Sequence, residues 1–252
     1  ASLDGSGHMT LNVGEYRGVI IAKVAQDADA RPDYLDEATG VGKDLSVDLY
    51  AMGEIVGTNE TITLNLNLLS TLAYHKALAV AGVDPLAGNG SLDAATVLNT
   101  NTAIAHAFGL ADINTTVTTT NGSTTYNAAD GFSAGETYGN ILAALSGSDA
   151  NNRGDTQLTL NNLLAGVAVT GATAVLDSAA QIEVTRGGAA VPGLTSGGAT
   201  FTQVDTLAPT TTVTAVHISA DTGTLATDFL TQTAAQTITA TLSTDLVPFI
   251  EK

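Results

Sequence analysis

The sequence predicts an α+β fold: a small antiparallel, β-sandwich-like sheet, an all-α helical block and a final set of β-strands. Three observations lead to this fold class. Apolar and polar residues alternate between residues 8 and 67, and the spacing becomes helical between 68 and 186. β-Branched residues return after a stretch rich in Gly, Pro and Ser. We therefore divide the chain into a strand-rich module (1–67), a helical block (68–186), a linker (187–204) and a terminal module (205–252).

Four strands are predicted in the strand-rich module. The segment HMTLNVGEYRGVIIAKVA alternates and then becomes apolar, which indicates two strands joined near Gly14–Gly18. The next stretch, QDADARPDYLDEATG, contains Pro32 and Gly40 and is predicted to be a loop. The segments DLSVDLYAMGEIV and ETITLNLNL alternate again and supply the third and fourth strands. Together these four strands predict one small antiparallel sheet.

Roughly five helices are predicted in the helical block. NLLSTLAYHKALAVAG ends at Gly82, and SLDAATVLNTNTAIAHAFG begins at Ser91 or Asp93 as its N-cap. SAGETYGNILAALSG opens with the spacing of a capping box, and TQLTLNNLLAGVAV and TAVLDSAAQIEVTRG provide the last two helices. Between them, INTTVTTTNGSTTYN is β-prone and carries an Asn-Gly hairpin signal, which predicts either two strands or a mobile loop. TTTVTAVHISA and QTITATLS form the terminal strands.

Composition excludes several classes of protein. The chain has 8 Lys+Arg and 25 Asp+Glu, a formal net charge of −17, so it repels nucleic acid and anionic membrane surfaces and attracts cations. It has no cysteine, which excludes disulfides and thiolate metal sites. No apolar run approaches the ~20 residues of a membrane span. We expect no nucleic-acid partner and no membrane insertion.

The segment 205–243 resembles a known family. DTLAPTTTVTAVHISADTGTLATDFLTQTAAQTITATLS is similar to the opening half of the immunoglobulin-like repeats of giant bacterial surface adhesins of the RTX and biofilm type. The similarity lies in the Asp-x-x-Ala-Pro junction, the ISADTG turn, the TDF triplet and the QTITATLS strand. The second half of a repeat does not follow, since the chain continues with TDLVPFIEK. The resemblance implies that the terminal strands are immunoglobulin-like.

The N-terminal region resembles a second part of the same adhesins. SLDGSGHMTLNV, EYRGVIIAKV, YLDEATG and NLNLLSTLA look like the strand-rich module that precedes a helical segment in these proteins. Both resemblances imply an extracellular location on the surface of a Gram-negative bacterium. They also imply calcium as the bound ion and neighbouring modules of the same long protein as partners.

Calcium prefers hard oxygen ligands, and three acidic groups offer them. Asp205 lies in the DTLAP junction, where the resemblance implies a calcium ion that stiffens the joint; a turn-capping Asp is the alternative. In SDANNRGD, Asp149, Asn151 and Asp155 occupy positions 1, 3 and 7 of an EF-hand-like loop, but an Arg and a Leu stand at positions 5 and 12. A loop between two helices with an Asp N-cap is the alternative there.

The third acidic group lies in DADARPDYLDE. Its five carboxylates within eleven residues repel one another unless they are solvated or bind a metal. A solvated acidic loop is therefore the alternative to a calcium site. The residues are Asp27, Asp29, Asp33, Asp36 and Glu37.

No catalytic arrangement is predicted. The four histidines are scattered, and none has the His-x-x-x-His spacing of a metal site. The chain has no Gly-x-Ser-x-Gly motif, and its Gly-rich stretches lack the Lys of a phosphate-binding loop. Asp36 and Glu37 are adjacent, so on a strand they point to opposite faces and cannot flank one glycosidic bond. We therefore expect no catalytic and no organic-cofactor residues.

Three functions remain open. The leading hypothesis is a non-enzymatic segment of a large, calcium-stabilised bacterial cell-surface adhesin or biofilm protein. Its sheet and linker would act as spacers, and its helical block is either structural or offers a groove to a glycan or protein ligand. The alternative is a self-assembling surface-layer or matrix protein, whose acidic Thr/Asn-rich surface makes lattice contacts. The third hypothesis is a polysaccharide-active enzyme domain.

Overall fold

A computed structural model describes residues 2–3, 8–26, 31–36, 38–120, 132–192, 194, 213–220, 222, 235 and 237–242. These residues show a mixed α+β fold with five α-helices and several short antiparallel strand pairs. The chain divides into two compact units, Ala1–Gln203 and Val204–Lys252. Each unit is described by itself.

The strands of the first unit pair as antiparallel ribbons. Strand β2 (His8–Asn12) pairs with β7 (Thr61–Asn65), and β1 (Ser2–Leu3) lies on the other edge of β2. Strand β3 (Gly18–Val24) pairs with β6 (Leu49–Ile55). The four predicted strands are therefore present, but the single sheet predicted for them is wrong.

The hydrogen-bonded pairing of strands is interrupted between the β2–β7 ribbon and the β3–β6 ribbon. Gly14 and Asn59 both have positive φ, at 64° and 55°, and the Asn59 N–H donates to the Gly14 carbonyl oxygen at 2.6 Å. The break lets the ribbons stack: Leu64 on β7 and Leu66, just after this strand, join an apolar cluster with the alanines of β3 and β6. At Gly53 the stacking is so close that a Cβ would lie 2.6 Å from Cδ1 of Ile62.

A short hairpin occupies part of the region that was predicted to be a loop. Strands β4 (Tyr34–Asp36) and β5 (Val41–Lys43) pair with Asp36 opposite Val41, and Gly40 turns the chain with φ 68°. The loop prediction is wrong here because three-residue strands are too short to show an alternating pattern.

All five predicted helices are present in the described part of the first unit. A short 3₁₀ helix, Pro85–Ala87, lies between the first two. The α-helices are α1 (Leu68–Ala81), α2 (Ala94–Ala107), α3 (Ala134–Asn151), α4 (Thr156–Gly166) and α5 (Ser178–Ala190).

Three helix ends follow the predicted capping residues, whereas α3 continues past Gly147, where its predicted segment ends, to Asn151. Gly82 ends α1 in the left-handed conformation, with φ 66°. Of the two candidate N-caps of α2, Asp93 is the one used, because its Oδ1 accepts from the Thr96 N–H at 2.8 Å. Ser133 and Glu136 form the reciprocal capping box at the start of α3.

A second hairpin interrupts the helical block. Strands β8 (Val167–Thr170) and β9 (Thr173–Leu176) follow α4 directly, with Gly171 at φ 57° in the turn. The last two helices were predicted to include these residues, and that extension is wrong. The segments VAVT and TAVL are rich in β-branched residues, which favour strands over helices.

The segment INTTVTTTNGSTTYN was predicted as two strands or a mobile loop, and it lies only partly within the described residues. Residues 113–120 form no helix or strand, and residues 121–127 lie outside the described part. Thr118 of this segment donates its N–H to the Gly135 carbonyl oxygen at 3.0 Å, so the chain here runs against the start of α3.

Strands and helices of the first unit share one apolar core. It includes Met52 of β6, Tyr138 of α3 and Leu163 of α4, all essentially inaccessible to solvent. Strand β6 lies between two layers, since Met52 joins the helical core whereas Ala51 joins the cluster under β2 and β7. The strand-rich module therefore packs against the helices through β6.

Helices α3 and α5 cross with their backbones in contact. A Cβ on Gly147 would lie 1.9 Å from the Gly187 carbonyl oxygen, and one on Gly187 would lie 2.0 Å from the Ala144 carbonyl oxygen. Ser148 on α3 donates its hydroxyl to the Glu183 carbonyl oxygen of α5 at 3.0 Å. Only glycine at the crossing allows this approach.

The second unit contributes one antiparallel strand pair within the described residues. Strand β10 (Val213–Ile218) pairs with β11 (Ile238–Leu242), with an irregular register between Val213 and Ala215. An immunoglobulin-like arrangement of the terminal strands stays a prediction.

Candidate functional site

Asp36 is the most deeply buried of the predicted calcium ligands that the structure describes, with 1% of its surface exposed. The Lys43 ammonium lies 2.7 Å from its Oδ2. Ser146 donates its hydroxyl to Oδ1, and Thr39 donates to Oδ2. Burial alone raises the pKa of Asp36, but these hydrogen bonds outweigh burial and hold the pKa below its usual value. Asp36 is therefore an ionised carboxylate with an ammonium partner.

The β4–β5 hairpin explains why Lys43 meets Asp36. Asp36 lies opposite Val41, and Lys43 follows Val41 by two residues, so Asp36 and Lys43 are diagonal neighbours on one face of the hairpin. The Ala38 N–H donates to the Ser146 hydroxyl at 3.0 Å, which attaches the hairpin turn to α3.

Asp149 faces the same region from α3, three residues after Ser146. It is 6% exposed, and the Thr156 hydroxyl donates to its Oδ2 at 2.7 Å. Its Oδ1 is buried and has no hydrogen-bond partner among the described residues. Burial is the main cause that raises the pKa of Asp149, and the Asp36 charge adds to it, while Thr159, Thr156 and Lys43 oppose the rise. Asp36 and Lys43 are thus close enough to act on Asp149 electrostatically.

The other two members of the EF-hand-like group do not join Asp149. Asn151 donates its Nδ2 to the Arg186 carbonyl oxygen at 3.1 Å, at the end of α5. Asp155 is exposed and caps α4, with Oδ1 accepting from the Leu158 N–H at 2.9 Å. Helix α3 continues through Asn151. The side chains of Asp149 and Asn151 therefore point in directions about 200° apart around the helix axis, and they cannot bind one ion together.

The remaining predicted ligands are spread over the chain. Asp33 is exposed, and its Oδ2 accepts from the Leu45 N–H at 2.9 Å, which closes the base of the hairpin. The others lie outside the described residues: Asp27, Asp29, Glu37 and Asp205. Within the described ranges, no group of three or more His, Cys, Asp or Glu side chains is placed to hold a metal ion.

The sequence placed Asp36 and Asp149 in different candidate sites and gave no indication that Lys43 and Ser146 contact Asp36. Ser146 and Asp36 are 110 residues apart. No pattern in the sequence indicates the contact between Lys43 and Asp36, because strands of three residues are too short to show alternation.

A second cluster of polar and aromatic side chains surrounds Tyr50. The Tyr74 ring stacks on it with centroids 4.5 Å apart, and the His75 ring meets it edge-on at 5.7 Å. The Lys23 ammonium lies 5.6 Å from the Tyr50 ring centroid and 2.6 Å from Asp48 Oδ2. Burial lowers the pKa of His75, so this histidine is held in its neutral form.

No family model, no curated protein and no solved structure matches this chain. Among the helices that the structure describes, none is both long enough and apolar enough to cross a membrane. The residues of the chain and their contacts are therefore the basis for any assignment of function.

Proposed function

We propose that the chain is a non-enzymatic segment of a large bacterial cell-surface adhesin or biofilm protein, where it acts as a calcium-stabilised extracellular spacer. One observation carries this proposal. The boundary between the two compact units falls between Gln203 and Val204, directly before Asp205 of the DTLAP segment that resembles a module junction. A spacer requires modules that pack separately and meet at defined junctions. Neighbouring modules of the same protein are its proposed partners.

The contacts of the acidic side chains support a structural role. Asp84, Asp93, Asp155 and Asp177 each accept a backbone N–H at the start of a helix. Each such N-cap stabilises its helix by about 1 kcal/mol. Carboxylates that cap helices stiffen a module.

The net charge of −17 supports the calcium part of the proposal. Like charges repel one another across a compact protein and destabilise it, and divalent cations relieve this repulsion. An ion that binds only the folded chain raises its melting temperature, because binding shifts the folding equilibrium.

The test is thermal unfolding in EDTA, in calcium and in magnesium. We expect calcium to raise the melting temperature by several degrees, and more than magnesium does. Asp205→Asn should reduce the calcium effect, whereas Asp44→Asn, which removes an exposed carboxylate with no proposed role, should leave it unchanged. Equal melting temperatures in EDTA and calcium would remove calcium from the proposal.

The alternative, a self-assembling surface-layer or matrix protein, is favoured by the exposed apolar side chains of the β10–β11 pair. Ile238 is 69% exposed, and Val216 on the neighbouring strand is also exposed. Light scattering that rises with protein concentration after calcium addition supports this alternative over a monomeric spacer. Release of reducing sugars from polysaccharides in the same samples would support an enzyme instead.

A further inference from the structure

We propose that Asp36 and Asp149 form a divalent-cation site in which the ammonium of Lys43 is the built-in competitor of the ion. The Asp36–Asp149 cluster, as we call it, consists of these three residues with the hydroxyls of Ser146 and Thr156. This inference rests on the proposed calcium dependence and names a place in the first unit where the ion binds.

Charge balance is the first argument. With both carboxylates ionised, Lys43 compensates only one of two buried negative charges, and an uncompensated buried charge strongly destabilises a fold. A divalent cation between the carboxylates makes the cluster neutral when Lys43 turns into solvent. The Lys43 side chain has access to solvent, since it is 30% exposed while that of Asp36 is 1% exposed.

The unpartnered oxygen of Asp149 is the second argument, and it is independent of the number of acidic residues. Oδ1 is buried, and no donor among the described residues has hydrogen-bond geometry to it, although the Thr159 hydroxyl is near enough to act on the carboxylate; buried polar atoms normally have a partner. A buried carboxylate oxygen without a donor therefore requires either a cation or a proton as its partner. Ser146 donates to Asp36 and lies three residues before Asp149 on α3, so the two carboxylates lie on the same side of this helix; the charges of Asp36 and Lys43 also act on Asp149.

The donor chemistry selects the class of ion. Carboxylate and hydroxyl oxygens are hard ligands, and calcium accepts six to eight of them in irregular arrangements, whereas magnesium requires near-ideal octahedral geometry. Two carboxylates and the hydroxyls of Ser146 and Thr156 supply part of such a shell, and water supplies the rest. Calcium is therefore the expected ion.

Binding at this position would connect three elements. Asp36 belongs to the β4–β5 hairpin, Asp149 to α3 and Thr156 to the first turn of α4. An ion held by all three ties the strand-rich part of the first unit to its helices, and this contact stiffens the proposed spacer.

The experiment compares the full chain with three variants in EDTA, calcium and magnesium, by thermal unfolding and by calorimetric titration with calcium chloride. Asp149→Asn removes the free carboxylate at almost constant volume, and we expect it to lose a calcium-binding event that the unchanged chain shows. Lys43→Met removes the competitor: we expect lower stability in EDTA, rescue by calcium and tighter calcium binding than in the unchanged chain. Asp44→Asn, the exposed neighbour of Lys43, is the matched control and should bind as the unchanged chain does.

The outcomes separate this site from the proposed function. A calcium effect that is the same in the unchanged chain and in Asp149→Asn overturns the Asp36–Asp149 site and leaves the calcium-stabilised spacer standing. If Asp149→Asn is more stable than the unchanged chain by the same amount with and without calcium, the free oxygen holds a proton and the inference is wrong. Should Lys43→Met not fold in any buffer, the comparison of the unchanged chain with Asp149→Asn still decides the question.

Discussion

Asn65 shows at the residue scale how one side chain joins distant segments. It lies on β7, and its Nδ2 donates to the carbonyl oxygens of Ile113 at 3.0 Å and Thr115 at 2.8 Å. Its backbone N–H donates to Asn114 Oδ1 at 3.1 Å. These bonds attach the segment after α2 to the strand layer, and no periodicity in the sequence indicates them.

At the residue scale, the lowered pKa of His75 predicts that the stability of the folded protein depends on pH. Burial lowers its pKa in the folded protein, and the charge of Asp84 opposes this only in part. The unfolded chain therefore takes up a proton at His75 as the pH falls through about 6.5, before the folded protein does, and the folded state loses stability. The loss continues until the pH passes the lowered pKa of the folded protein.

We expect His75→Gln to lose less stability than the unchanged chain when the pH falls from about 7.5 to about 5.5, because it lacks this titration. Urea unfolding at the two pH values measures the difference. His106→Gln replaces an exposed histidine and should behave as the unchanged chain does. Equal losses in the unchanged chain and in His75→Gln contradict the prediction.

At the scale of elements, local signals predict the helices well. Gly82 was correctly expected to end α1, and Asp93 was one of two residues expected to begin α2, because capping depends on residues within one turn of each other. The β8–β9 hairpin was missed, since it follows α4 without a break and its four-residue strands resemble a continuing apolar helix face. The pairing of β2 with β7 and of β3 with β6 was also missed, because each pair joins segments that are far apart in the sequence.

The crossing of α3 and α5 provides a prediction for an element pair. Gly187→Ala places a Cβ 2.0 Å from the Ala144 carbonyl oxygen and 2.3 Å from the Ser148 hydroxyl oxygen. The Ser148 backbone nitrogen lies 2.7 Å from the same Cβ. Because this nitrogen and the Ala144 carbonyl oxygen belong to the backbone of α3, α3 and α5 must separate. We expect a loss of about 3 kcal/mol in the free energy of unfolding, at the upper end for overpacked cores.

Gly188→Ala is the matched control for this substitution. Its new Cβ would have no neighbour nearer than 3.7 Å, which is ordinary contact, and alanine favours a helix over glycine by up to about 1 kcal/mol. We therefore expect unchanged or increased stability in urea unfolding. Similar losses for the two variants would show that the close crossing is not what requires glycine at 187.

At the scale of the whole molecule, the principal core belongs to the first unit. Its members run from Met52 to Val184, all within Ala1–Gln203. The first unit therefore has the apolar interior that an independently folding domain requires.

This organisation predicts that a fragment ending at Gln203 folds alone. We expect it to keep the main cooperative unfolding transition of the full chain, at nearly the same temperature, because the described residues of the principal core all precede Gln203. Differential scanning calorimetry of the fragment and the full chain measures this. A fragment without a cooperative transition would show that the residues after Gln203 are needed to fold the first unit.

The sequence by itself determined the mixed α+β class, the five helices and several of their ends, because these depend on residue spacing and on contacts within a few residues. The immunoglobulin-like part of the predicted class stays a prediction. It also determined which acidic residues to consider as ligands. Only the tertiary structure decided that Asp36 contacts Lys43 and Ser146 and that its charge acts on Asp149, while Asn151 and Asp155 turn elsewhere. The physical reason is that the contact between Asp36 and Ser146 spans 110 residues and forms only when the β4–β5 hairpin packs against α3.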